Sequence, residues 1–166
     1  MESEFGYSGW VSLEHTQEGT ARMMKDGECF RLVECNCWDP LARIDDCDND
    51  QIDIQVLSTV PVMFNYWAEA KHTHIVSKIL NDDIANIVDL YPQRFIGLGT
   101  IPMQDEKLAI TELERCVSDL GLAGVQIGSN INGKNLSEPA FFPIFEAASD
   151  LGASVFIHPW DIMGKE

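Results

Sequence analysis

A histidine that ends an apolar run is the residue of this sequence best suited to chemistry. Residues 154–158 are Ser-Val-Phe-Ile-His, and Pro159 follows directly. Such a run is typical of a strand covered on both faces, and proline cannot donate to a sheet ladder, so the strand should end near His158. In parallel α/β folds the reactive groups lie at this end of the strands. His158 is therefore a candidate metal ligand or proton carrier; the alternative is a hydrogen-bonded histidine with a structural role only.

Other histidines and the cysteines could also bind a metal. His72-x-His74 would place both rings on one face of a strand, but the pair lies at a predicted helix start, where positions i and i+2 diverge. We interpret these two residues as solvent-facing histidines. The five cysteines form no Cys-x-x-Cys pair, and the one-residue spacer of Cys35-x-Cys37 is tighter than usual zinc spacing. We expect reduced thiols at Cys29, Cys35, Cys37, Cys47 and Cys116.

Composition excludes several kinds of partner. The 166 residues fit one domain, and their net charge of −16 disfavours nucleic acid. The acidic net charge also repels anions, so an acidic substrate would need local cations in its site. No apolar run approaches the ~18 residues of a membrane span, and no charged-then-apolar leader is present. We expect a cytosolic protein that binds neither nucleic acid nor membrane.

Two cations, Lys25 and Arg31, flank a predicted hairpin turn. Trp10–Leu13 alternates like a strand, Asp26-Gly27 is typical of a tight two-residue turn, and residues 29–33 form the expected return strand. A period of two places Cys29, Arg31 and Val33 on one face, with Phe30 and Leu32 pointing inward. Because a lone cation belongs to no motif, solvated surface charge remains the alternative for both Lys25 and Arg31.

Helix and strand patterns alternate through the rest of the chain. Asp39-Pro40 is a strong helix start, and prolines or glycines follow most of the predicted elements. The predicted helices are 40–50, 75–91, 105–120 and 137–151; the predicted strands are 52–61, 95–102, 124–128 and 154–158. This alternation predicts an α/β fold with four parallel strands and right-handed crossovers, about half of a (β/α)8 barrel (TIM barrel), plus an N-terminal antiparallel hairpin.

Five motifs in order resemble one enzyme family. They are residues 36–40 (NCWDP), 57–64 (LSTVPVMF), 94–104 (RFIGLGTIPMQ), 124–128 (GVQIG) and 158–161 (HPWD). The chain resembles the 2-amino-3-carboxymuconate-6-semialdehyde decarboxylase family of the metal-dependent amidohydrolase superfamily. The resemblance implies a (β/α)8 barrel, zinc, and a carboxy-lyase activity in tryptophan (kynurenine) catabolism that limits quinolinate formation.

The resemblance also implies roles for three residues. His158 matches the family's metal ligand at the end of the fifth strand, while Arg31 and Lys25 match hairpin residues that meet the carboxylates of a small dicarboxylate substrate. The family's other ligands, a His-x-His pair and an aspartate, have no counterpart here. Its acid/base histidine has none either, so no catalytic residue is assigned.

The missing counterparts predict a shortened chain. We expect one incomplete barrel domain over 1–166, with a hairpin insertion at 5–34 and β/α units at 39–161, inactive on its own. The family implies a homodimer for the complete enzyme. The alternatives are a non-catalytic fragment that pairs with another chain, and a related metal-dependent hydrolase.

Overall fold

The computed structural model describes residues 1–16 and 19–160. The chain divides into two compact units, Met1–Gln55 and Val56–Glu166. Asp161, the last residue of the HPWD motif and of the predicted 39–161 segment, lies outside the described residues. No helix in the described part of the chain is long and apolar enough to cross a membrane.

The first unit contains a three-stranded antiparallel sheet. Its elements are α1 (Glu2–Phe5), β1 (Ser12–His15), β2 (Thr20–Lys25), β3 (Glu28–Glu34), a 3-10 turn (Cys35–Cys37) and α2 (Pro40–Asn49), and the strands lie in the order β1-β2-β3. Asp26 and Gly27 have φ values of 52° and 80°, as a type I′ hairpin turn requires. The side chain of Asp39 accepts from the backbone N–H of Leu41, which confirms the predicted helix start.

A register shift in the hairpin changes which residues share a face. Arg31 lies opposite Met23, whereas Cys29 lies opposite Met24. Consecutive strand residues point to opposite faces, so Cys29 and Arg31 lie on opposite faces of the sheet. The prediction that they share a face is wrong because Phe30 is an extra residue that has no partner across the ladder.

The expected inward orientation of two apolar residues is also wrong. Phe30 and Leu32 are 47% and 63% exposed, because β3 is an edge strand of this small sheet. The buried residues of the sheet, Ala21 and Met23, belong to the central strand β2. Arg31 is exposed, on the same face as Met23.

The second unit is an α/β half-barrel. In chain order its elements are β4 (Gln55–Leu57), α3 (Ala70–Leu90), β5 (Phe95–Thr100), α4 (Glu106–Glu114), β6 (Gly124–Gly128), β7 (Asn130–Ile131), β8 (Lys134–Asn135), α5 (Phe142–Asp150) and β9 (Ser154–His158). Four strands form a parallel sheet in the order β4-β5-β6-β9. The predicted fold class is confirmed. Individual bounds differ: β4 is shorter than predicted, α3 begins earlier, and α5 begins later because Pro143 lies in its first turn.

Glycines allow the helices to approach one face of the sheet closely. A Cβ at Gly97 would lie 2.6 Å from Leu122, and one at Gly99 would lie 2.5 Å from the sulfur of Cys116. Cys116 belongs to a π-helical turn (Arg115–Asp119) that extends α4. Burial raises the pKa of this thiol to about 12, and the nearby Glu112 charge adds to the shift.

A buried carboxylate joins the helices on this face. Glu112 is completely buried, and its oxygens accept from Asn81 at 2.7 Å, from His74 at 3.1 Å and from the Arg115 guanidinium at 2.7–3.2 Å. The hydrogen bonds to Glu112 raise the pKa of Arg115, outweighing the effect of burial. Asn81 also bonds both backbone groups of Thr100 at the end of β5, at 2.7 and 2.9 Å. The network therefore connects α3, α4 and β5.

Replacing Glu112 by alanine should strongly destabilise the chain. The change removes the carboxylate that pairs with Arg115, which retains its contact with Asp82. It also takes one acceptor from Asn81 and one from His74. Breaking this buried ion pair costs about 3 kcal/mol. Urea unfolding followed by circular dichroism measures the loss. The control is Glu114→Ala on the exposed side of the same helix, which should change stability by less than about 0.5 kcal/mol. Equal losses in the two variants would contradict this role of Glu112.

Candidate active site at the carboxyl ends of the strands

The carboxyl ends of β5, β6 and β9 form one edge of the sheet. Thr100 lies beside Gln126, Gln126 beside Phe156, and Gly128 beside His158. Residues in register on parallel strands point to the same face, so Thr100, Gln126 and His158 share the face opposite the helices. In barrels of this kind, that interior face and this edge contain the reactive groups.

Gln126 connects two strand ends that are not neighbours. Its side chain accepts from the hydroxyl of Ser58 at 2.6 Å and donates to the carbonyl of Thr59 at 2.9 Å. Because β5 lies between β4 and β6, the Gln126 side chain must cross the interior face of β5. Gln126 is 2% exposed, so its hydrogen bonds are shielded from water. They hold the segment after β4 against the interior face of the sheet.

His158 ends β9 with its ring in a defined tautomer. Nδ1 lies 2.7 Å from the carbonyl oxygen of Pro159, which can only accept, so Nδ1 must bear the hydrogen. Nε2 then has a free lone pair, and no hydrogen bond reaches it within the described part of the chain. Metal-binding histidines commonly donate their other ring N–H to a carbonyl in this way. The half-buried His158 can therefore act as a nitrogen ligand.

An aromatic cluster covers the strand end beside His158. The Tyr66 and Phe64 rings stack at 5.4 Å, and Phe64 meets Trp160 edge-on at 5.8 Å. The backbone N–H of Gly128 donates to the Tyr66 hydroxyl at 3.1 Å, and burial raises the pKa of Tyr66 above its usual range. A Cβ at Gly128 would lie 3.1–3.2 Å from Tyr66 and Trp160, so this position has little room for a side chain.

The tip of β6 also holds the chain that follows His158. The Ser129 N–H donates to the carbonyl of His158 at 2.9 Å, and the Ser129 hydroxyl bonds both backbone groups of Trp160. Asn130 donates to the Trp160 carbonyl at 2.6 Å. No functional role of Ser129, Tyr66 or Gln126 is recognisable in the sequence. Tyr66 and Ser129 follow predicted strands, and Gln126 is a polar residue inside the predicted strand 124–128; these positions were the available signals.

Arg31 and Lys25 belong to the first unit. Arg31 is exposed on β3, and Lys25 is half-buried at the end of β2, opposite Glu28. The structure places both beside the same hairpin turn, whereas His158 lies in the second unit.

The described residues contain no group of three or more His, Cys, Asp or Glu side chains arranged to hold a metal ion. His72 and His74 lie within α3, and His74 bonds to Glu112 on the helix-covered side of the sheet. Its side chain is only 20% exposed, so the interpretation of His74 as solvent-facing is wrong. The cysteines are free thiols, as expected.

The half-barrel with a histidine at a strand end has clear relatives. The sequence model of the amidohydrolase family matches residues 30–164, and the chain belongs to this family. It is 54% identical over its whole length to 2-amino-3-carboxymuconate-6-semialdehyde decarboxylase of Dictyostelium discoideum, covering 46% of that protein. It is 33% identical to the Caenorhabditis elegans enzyme of the same name, covering 98% of this chain and 52% of that protein. The chain thus spans about half the length of these relatives.

Solved structures agree with the fold. A 5-carboxyvanillate decarboxylase from Novosphingobium aromaticivorans, complexed with manganese, superposes with a TM-score of 0.67 at 34% identity, over 71% of this chain and 34% of that one. A dihydroxybenzoic acid decarboxylase from Polaromonas with bound manganese gives a TM-score of 0.67 at 27% identity, over 74% and 39%.

Tyr66→Phe should change how stability depends on pH. At neutral pH the variant leaves the buried Gly128 N–H without its acceptor, at a cost of about 1–3 kcal/mol. The folded-state pKa of Tyr66 exceeds the ordinary value of 10.0, so above that pH the folded state retains a proton that the unfolded state loses. Wild-type stability should then fall by up to about 1.4 kcal/mol per pH unit.

Urea midpoints measured between about pH 7 and about pH 11 test this difference, because the variant lacks this tyrosine contribution to the pH dependence. The two stability curves should converge above pH 10. Tyr91→Phe, a half-buried tyrosine of the same unit, is the control and should change neutral-pH stability by less than about 0.5 kcal/mol. Parallel curves for wild type and Tyr66→Phe would contradict the assignment.

Proposed function

We propose that this chain serves in a metal-dependent decarboxylase that removes carbon dioxide non-oxidatively from 2-amino-3-carboxymuconate 6-semialdehyde. In tryptophan catabolism this reaction limits quinolinate formation. The observation that best supports the proposal is the 2.7 Å contact between Nδ1 of His158 and the Pro159 carbonyl at the carboxyl end of β9, which leaves Nε2 available as a ligand. The names of the Dictyostelium and Caenorhabditis relatives supply the reaction and the substrate.

His158 fits a divalent metal as one ligand of several. Its Nε2 is the only contribution that we assign to this chain, and the other ligands would come from outside the described residues. The proposed metal is zinc, although two solved decarboxylases of similar fold contain manganese. When bound, such an ion supplies Lewis-acid chemistry and an activated water. The role of His158 is to present a neutral imidazole in a fixed orientation.

Arg31 and Lys25 are the proposed substrate-binding residues. The substrate bears two carboxylates, and the chain has a net charge of −16, so binding requires cations at the site itself. The exposed guanidinium of Arg31 can bind a carboxylate through two parallel hydrogen bonds. Lys25, beside the same turn, offers a second positive charge.

The wider organisation follows from the same proposal. The partners are a small dicarboxylate and a second copy of the enzyme, and the compartment is the cytosol. Residues 1–166 act as one domain with residues 5–34 as an insertion. A non-catalytic role is the second candidate, because the described residues contain no cluster able to hold a metal alone.

A chimera tests the role of His158. These 166 residues replace the matching segment of the Dictyostelium decarboxylase, and both carbon dioxide release and bound zinc and manganese are measured. His158→Ala should lower metal content and activity together by more than about tenfold, because a zinc site needs three or four protein ligands. His72→Ala is the control and should leave both unchanged. Full metal occupancy in His158→Ala would defeat the ligand assignment, and an inactive unmutated chimera that binds metal would favour the non-catalytic role.

The same chimera tests Arg31. Arg31→Ala should lower kcat/KM by at least about tenfold, because a charge-assisted hydrogen bond contributes about 1.5–3 kcal/mol. Arg31→Lys should recover little of this loss, because a lysine lacks the planar fork that binds a carboxylate through two bonds. Arg22→Ala, an exposed arginine of the neighbouring strand, is the control. A value for Arg31→Ala within twofold of the unmutated chimera would return Arg31 to the solvated-surface interpretation.

A further inference from the structure

We infer that Ser129 is a positioning residue that orients the imidazole of His158 through the peptide group between Pro159 and Trp160. The inference rests on the proposed function only in taking the imidazole of His158 to be a metal ligand. The orientation itself follows from hydrogen bonds among His158, Pro159 and Trp160 at the end of β9 and Ser129, which directly follows β6.

The first step is the geometry of a single peptide plane. The N–H of Trp160 donates to the hydroxyl oxygen of Ser129 at 3.0 Å. The carbonyl of Pro159 belongs to the same planar peptide group and accepts from Nδ1 of His158 at 2.7 Å. Because the group is planar and trans, fixing the direction of its N–H also fixes the direction of its C=O. Ser129 therefore determines where the acceptor of the His158 ring hydrogen lies.

The second step is that the hydroxyl of Ser129 is itself held. Its backbone N–H donates to the carbonyl of His158 at 2.9 Å, continuing the parallel ladder that pairs Gly128 with His158. Its hydroxyl donates to the Trp160 carbonyl at 3.1 Å while accepting from the Trp160 N–H. The proton of the hydroxyl is thus engaged, and its lone pair faces the N–H of Trp160.

The third step concerns the chemical state of the ring. Hydrogen bonds in a chain polarise one another, so donation by the Trp160 N–H makes the Pro159 carbonyl a better acceptor. A better acceptor favours the tautomer with hydrogen on Nδ1 and the lone pair on Nε2. The tautomer of a histidine is set by the hydrogen bond that its non-ligating ring nitrogen makes. In His158 this nitrogen is Nδ1, and its hydrogen bond depends on Ser129.

Asn130 provides a matched comparison for Ser129. Its side chain donates to the carbonyl of Trp160 at 2.6 Å, so it holds the same residue from the same strand end. That carbonyl, however, belongs to the peptide group after Trp160, not to the one that contains the Pro159 carbonyl. Loss of the Asn130 side chain should therefore weaken the segment without releasing the acceptor of the His158 ring.

The experiment reads the tautomer directly in the metal-free 166-residue chain. The chain is labelled with nitrogen-15 in its histidines, His158 is assigned with a His158→Gln variant, and the ring nitrogen shifts are recorded near pH 8.5, roughly two units above the ordinary imidazole pKa. Wild type should show mainly the Nδ1–H form. In Ser129→Ala the population ratio of the Nδ1–H to the Nε2–H tautomer should fall about fivefold. This is the change in an equilibrium that corresponds to the net free energy of one neutral hydrogen bond, about 1 kcal/mol.

Three further variants make the test specific. Ser129→Thr keeps a hydroxyl and should retain the wild-type ratio, and Asn130→Ala should retain it as well. If Ser129→Ala does not fold, Ser129→Cys gives the same comparison, because sulfur is only a weak acceptor.

Three results would overturn the inference. These are a wild-type ring that is mainly Nε2–H, an unchanged ratio when the serine hydroxyl is lost, and an equal fall in Asn130→Ala. Since no metal is present, an unchanged ratio in Ser129→Ala or an equal fall in Asn130→Ala leaves the ligand role of His158 standing, whereas a mainly Nε2–H wild-type ring would also remove the tautomer on which that role rests. Failure of the chimera to bind metal through His158 equally leaves this positioning role intact.

Discussion

The completely buried carboxylate of Glu112 is the constraint on which the second unit depends. A carboxylate without water needs donors for both oxygens and an opposite charge nearby. Arg115 supplies the charge from one turn further along the chain, while His74 and Asn81 reach the same oxygens from α3. The helices α3 and α4 must therefore pack together in one arrangement. Hydrogen bonds as well as apolar contacts hold them against the sheet.

The hydrogen bonds of this network also reach the carboxyl ends of the strands. Asn81 bonds to both backbone groups of Thr100, so its side chain satisfies the peptide groups at the end of β5. On the opposite face, Gln126 ties the segment after β4 to the middle of the sheet. At the edge of the sheet that contains His158, side chains such as those of Asn81 and Gln126 bond to backbone groups. These bonds hold the strand ends and the segments after them in place where the described residues contain no further strand pairing.

The order of the helices and strands could be predicted because apolar periodicity and proline and glycine positions are local signals. The strand end at His158 and the turn at Asp26-Gly27 are of this kind. The contacts that fix the site are not local: His74 and Glu112 are 38 residues apart, and Ser58 and Gln126 are 68 apart. A polar residue has the same appearance in sequence whether it faces water or a buried partner. For this reason the sequence does not distinguish the half-buried His74 from a solvent-facing histidine, and it does not reveal the extra residue at Phe30.

The π-helical turn after α4 has a consequence for how this family's sequences can vary in length. The N–H of Leu120 bonds to the carbonyl five residues earlier, at Arg115, so this turn contains one residue more than an α-helical turn. Deleting one residue here would leave a regular α-helical turn that covers nearly the same rotation with one residue fewer. Arg115 would remain beside Glu112, and Leu122 could keep its place against Gly97. Relatives that share this packing can therefore show a one-residue alignment gap in this turn.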